Sequence, residues 1–261
     1  MPQHSRDPQV PASWRSAWTI VAVCLVVLAA ATALLPCPDP KSHGVRLVLC
    51  LLALESVLLA VVAPFLAARG SGGRLRSVLL PLVAVVLIGI VLFAAAARGA
   101  VPLSAILWSH LFLLSFAWLL AALALALVTL RLRAATAQLV VTLLALLMLG
   151  QVFFANSLVE AAAGERSKML VIDAVLWTNP WLIVGGSILQ ADPLRSENLY
   201  EWSVIIYYGF QYPGSSISAV WLRALFLTGV YAGCAGLLQA LAWLIARRRR
   251  RPGVVQGPDN L

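Results

Sequence analysis

The sequence predicts an all-α polytopic membrane protein with six transmembrane helices, both termini in the cytoplasm, and a re-entrant helical segment between helices five and six on the outer face. Three observations lead there. Of 261 residues, 62% are hydrophobic and 11% charged, against roughly 45–50% apolar and 25% charged in a soluble domain. Apolar runs near 20 residues recur, the length a hydrocarbon core of about 30 Å requires of a helix, because lipid offers backbone amides no partners. Basic residues gather on alternate connections, as they do on cytoplasmic segments.

The leader, residues 1–16, is polar; with Trp14, Arg15 and the following Trp18 it reads as an interfacial segment on the inner membrane face. Span one, 17–35, ends in the Pro36-Cys37-Pro38-Asp39-Pro40 turn. It lacks a small-residue cleavage site, so a retained helix is expected rather than a signal peptide. Span two, 47–68, carries Glu55 and Pro64. Span three is 77–97, span four 103–130 with His110, and span five 134–155. An external segment, 156–218, precedes span six, 219–246, and a basic tail, 247–261, opens with Arg247 to Arg251.

Charge orients the set. With the N-terminus inside, cytoplasmic segments hold twelve Lys and Arg against Asp7 and Asp259, while the outer side holds seven basic and seven acidic residues. The reverse orientation would place five consecutive arginines outside. The isoelectric point near 10.1 therefore needs no nucleic-acid partner.

Within the external segment, residues 169–189 are apolar but interrupted by Asp173, Asn179-Pro180 and Gly185-Gly186. Pro180 removes a backbone donor and disfavours helix at Asn179, so two short helical pieces that dip into the outer leaflet and return are expected, with a full seventh span as the alternative. Broken backbone survives at that depth only against protein or a wet cavity. The aromatic run from Tyr200 to Tyr212 reads as an interfacial belt.

Glu55 is the acidic residue set well inside a span, roughly 13 Å from the outer end of its helix, and His110 lies at about 10 Å in span four. A carboxylate in lipid is costly unless paired or protonated, so the two are expected to meet, as a structural bond between helices or as a proton relay or substrate contact. Ser56, Ser109 and Ser115 could join either network. Gly229, Gly233 and Gly236 form a small-residue stripe that fits close helix packing, within the chain or between copies. Free thiols are expected, with a Cys37–Cys50 bridge as the minor alternative. The sequence carries no phosphate-binding loop, zinc-protease helix or serine-hydrolase elbow; no catalytic site, metal or cofactor is expected.

Six helices with both ends inside, an interfacial leader, the passage from Ala63-Pro64-Phe65-Leu66-Ala67-Ala68 through Arg69-Gly70-Ser71-Gly72-Gly73-Arg74-Leu75-Arg76 to Leu79-Leu80-Pro81, and Asn179-Pro180 in the outer segment together resemble the membrane (permease) subunit of a type-2 ABC exporter. The resemblance implies a permease in the cytoplasmic (inner) membrane of a bacterium, paired with a second copy or a related permease. It further implies a separate cytoplasmic ATPase that holds ATP and Mg and docks on Arg69, Arg74 and Arg76. Lipid, peptide or glycan would all suit such a path. A non-transporting assembly subunit, or an intramembrane enzyme using Glu55 and His110, are the other readings.

Overall fold

The computed structural model describes residues 42–69, 75–97, 101–189 and 217–250, together with residues 19, 22 and 23. The leader, nearly all of span one, Arg74, the aromatic run from Tyr200 to Tyr212 and the tail beyond Arg250 lie outside the described residues. The described chain is helical, without strands. Its elements are α1 (Ser42–Arg69), α2 (Leu75–Ala97), α3 (Leu103–Thr129), α4 (Ala134–Ala161), α5 (Glu165–Thr178), α6 (Pro180–Leu189) and α7 (Ile217–Arg250).

Among the described residues four of these contain stretches long and apolar enough to cross a membrane: Val48–Ala68, Leu103–Thr129, Ala134–Gln151 and Ala224–Arg248. A fifth arises if α5 and α6, bent by 78° at their junction, count as one. In α2, itself 23 residues long, the part described in full contributes the apolar stretch Leu82–Ala95. The chain is therefore a helical protein with the composition of a multi-pass membrane protein.

Burial sorts the helices. About 56% of the apolar window is buried in α1 and in α3, against 17% in α4 and 22% in α7, so α1 and α3 form the centre. Leu52, Leu59, Phe93, Phe112, Leu113 and Phe116 fill it. Helices α4 and α7 turn apolar faces outward, including Leu139, Leu143 and Leu147 on one and Leu237, Leu241 and Trp243 on the other. In water such faces would be a liability; in lipid they meet their own solvent.

Local chemistry explains several details. Pro64 lies inside α1, and its missing N–H leaves the Ala60 carbonyl, four residues back, without a helical donor. The Thr142 hydroxyl of α4 donates to that oxygen at 3.4 Å, so the defect becomes a link between helices. Helix α3 ends in a tight turn in which Arg131 takes φ 78° and Leu132 N–H returns to the Leu127 carbonyl at 3.1 Å. Helices α3 and α7 run parallel: Tyr231 stacks near Phe112 and Phe116, and further along Trp118 Nε1 donates to Gln239 Oε1 at 3.1 Å.

Several helix ends differ from the sequence expectation, and α1 already begins at Ser42, five residues before position 47. Helix α4 continues six residues past 155 to Ala161, because Asn156 and Glu160 end the apolar run without ending the helix; the chain turns only at Gly164, with φ 90°. Helix α7 continues through Arg250, since arginine is a good helix former and no proline intervenes before Pro252.

Candidate functional site

The buried polar side chains among the described residues are Glu55, Ser56, Ser109, His110, Ser115 and Asn179. Three helices bring the first group together. Glu55 projects from α1 and His110 from α3, with His110 Nε2 3.1 Å from Glu55 Oε2 and both side chains fully buried. The expected pairing is therefore present. The other ring nitrogen, Nδ1, lies 2.7 Å from the Ile106 carbonyl; a carbonyl only accepts, so Nδ1 carries a hydrogen. Nε2 is thus the nitrogen that faces the Glu55 carboxyl.

The contact is close but not in line with the ring N–H, so Glu55 Oε1, Oε2 and His110 Nε2 all lack a well-directed hydrogen bond. Phe93 of α2 presents its ring edge-on to the imidazole, centroids 4.8 Å apart at 79°. Gly89, one turn earlier on α2, supplies the space: a Cβ there would lie 2.9 Å from Glu55 Oε1 and 3.1 Å from His110 Nε2. Thus α2 closes the pair with a ring on one side and bare backbone on the other.

The serines divide. Ser56 Oγ donates to the Leu52 carbonyl at 2.6 Å and Ser115 Oγ to the Phe112 carbonyl at 2.7 Å, so both hydroxyls are satisfied within their own helices rather than by the pair. Ser109 Oγ is buried without a hydrogen-bond partner.

The second polar cluster is the corner between α5 and α6. Asn179 breaks the helix and caps the next: its Oδ1 accepts from Trp181 N at 2.9 Å and Leu182 N at 3.3 Å, with Pro180 at the first helical position, where its missing N–H costs nothing. Its Nδ2 donates to the Leu149 carbonyl of α4 at 3.1 Å. Thr178 hydrogen-bonds Gln151 Oε1 at 2.8 Å, and Tyr231 of α7 donates to the Thr178 carbonyl at 3.4 Å. Helix α6 then packs on α1, α3 and α7, burying Leu182, Ile183 and Val184. Asp173 is half-buried on α5 and takes no part in these bonds.

The two clusters lie close along α3. His110 holds Glu55, and two residues later Phe112 stacks on Tyr231, centroids 5.4 Å apart. One turn of α3 therefore touches both the Glu55–His110 pair and, through Tyr231, the broken-helix corner.

Other expected residues sit apart. Arg69 ends α1 and Arg76 lies in the first turn of α2. Gly229, Gly233 and Gly236 have open space where a Cβ would stand, so no described helix packs closely on the stripe. Cys50 and Cys234 are free thiols. Among the described residues no group of three or more His, Cys, Asp or Glu could hold a metal ion. Gly89 escaped sequence reasoning, although depth offered a signal: it lies eight residues, about 12 Å, from the C-terminal end of its helix, at the level of Glu55 and His110. Compared with protein-family models, with curated proteins and with solved structures, the chain matches none.

Proposed function

We propose that this chain is the permease subunit of an ATP-driven transporter of the type-2 ABC exporter kind, working as a dimer in a bacterial inner membrane. In this reading it has six spans with both termini inside, and the α5–α6 pair re-enters from the outer face. The observation that carries the reading is the bent pair itself: α6 packs against α1, α3 and α7 instead of lying over the bundle. A broken helix placed against the central helices is a hinge-like element that a transporter can use to open one side of the bundle. Asn179 fixes its corner.

The Glu55–His110 pair serves this reading as a polar lock between α1 and α3. Its complete burial favours that role over catalysis, because a catalytic group must reach its substrate. Energy would enter from a separate ATPase at the connection between α1 and α2, where Arg69, Arg74 and Arg76 fall. The test is recovery of the tagged full chain from its native membrane in mild detergent, with identification of co-purifying proteins. An ATPase subunit recovered with it supports the reading, and repeated recovery without one favours the assembly-subunit alternative.

A further inference from the structure

At the C-terminal ends of α3 and α7 a groove of about 330 Å³ opens on the side of the bundle, lined by Leu125, Thr129, Gly236, Ala240, Trp243 and Ala246 among others. Its walls are predominantly apolar, and Gly236 leaves space in its floor, since a Cβ there would meet nothing within 4 Å. From Gly236 to Ala246 the groove follows ten residues of α7, about 15 Å at 1.5 Å per residue. That is about half of a 30 Å hydrocarbon core, the depth of one leaflet.

One end of the groove is cationic. Ala246 on its wall is followed directly by Arg247 and Arg248, both exposed, and Thr129 lies two residues before the exposed Arg131. The Arg247 guanidinium sits over the Trp243 ring at 5.2 Å, which ties a positive charge to the groove wall. The acidic residues among those described, Glu55, Glu160, Glu165 and Asp173, lie in the bundle interior, at the far end of α4 or on α5. No described carboxylate therefore neutralises this end.

An apolar slot one leaflet deep with cations at its mouth complements an amphiphile with an acyl chain and an anionic head. We propose that the α3–α7 groove is a binding site for an anionic phospholipid, its chain against Gly236, Ala240 and Trp243 and its phosphate on Arg247 and Arg248. The site is independent of the transport reading.

The test uses the full chain, purified in mild detergent, stripped of lipid and titrated with phosphatidylglycerol, phosphatidylcholine or inorganic phosphate, with bound lipid counted by native mass spectrometry. Wild type should retain phosphatidylglycerol in preference to phosphatidylcholine, and inorganic phosphate should not displace it. Each arginine near a headgroup is worth about fivefold (roughly 1 kcal/mol), so Arg247→Gln with Arg248→Gln should weaken phosphatidylglycerol by about 25-fold and leave phosphatidylcholine unchanged. Gly236→Leu fills the slot and should reduce both lipids; Ala240→Phe, from an exposed position, blocks it independently should the first variant fold poorly. Equal retention of the two lipids by wild type, displacement by inorganic phosphate, or undiminished lipid binding in a folded slot-filling variant would each overturn the proposal.

Discussion

Gly89 stands where a side chain would strike Glu55: a Cβ at that position would lie 2.9 Å from the carboxylate Oε1. The pair on α1 and α3 is thus closed by an absence on α2. Gly89→Ala must displace either the carboxylate or the helix, and overpacking of this kind costs about 1–3 kcal/mol. Thermal melting in detergent should register that loss, whereas Gly229→Ala, with open space around it, should match wild type or gain up to about 1 kcal/mol from helix propensity.

Glu55 and His110 should behave as one unit. Removing one partner of a buried pair leaves the other uncompensated, at a cost of about 3–5 kcal/mol. Glu55→Gln and His110→Gln should each destabilise strongly, and the double variant should lose less than the sum, with a coupling of about 0.5–3 kcal/mol. Additive losses across the melting cycle would reduce the 3.1 Å contact to mere proximity.

Asn179 makes bonds of two kinds, and substitutions separate them. Asn179→Ser keeps an oxygen for the α6 amides but loses the amide donor to Leu149, whereas Asn179→Ala loses both. Loss of a cap alone costs about 0.5–2 kcal/mol, so melting should rank wild type above Ser and Ser above Ala. Equal losses in both variants would place the whole effect on the bond to α4.

Much of this site was legible in the sequence because lipid makes polar residues conspicuous. Each buried polar side chain, from Glu55 to Asn179, interrupts an apolar run, and equal depth from a helix end was enough to pair Glu55 with His110. Pro180 likewise marked the break between α5 and α6, since proline acts through local backbone chemistry. Gly89 was not legible, because a glycine within a span has many uses and only the approach of two other helices selects one. The Trp118–Gln239 and Tyr231–Thr178 bonds were hidden for a related reason: the first depends on the parallel register of α3 and α7 and the second on how α7 meets the end of α5, both of which packing sets. Hydropathy also misplaced the end of α4, since it reports where the apolar run ends and the helix stops only at Ala161, short of the turn at Gly164.

Orientation gives a further expectation. In a variant freed of its own cysteines, Ser71→Cys should react with an impermeant thiol reagent only from the cytoplasmic side and Ser196→Cys only from outside, because twelve of the nineteen Lys and Arg fall on the segments assigned inside. Labelling of Ser196→Cys from the cytoplasm would mean that α5 and α6 cross together as a full span.

The transport reading is tested most directly by ATP hydrolysis in the complex captured through the tagged full chain, measured with and without Arg74→Glu combined with Arg76→Glu. The wild-type complex should hydrolyse ATP in a manner that responds to the permease, and charge reversal should abolish that response while the chain remains inserted and melts as wild type does. Capture of the chain in gentle detergent with no ATP hydrolysis above an untagged control would contradict the reading.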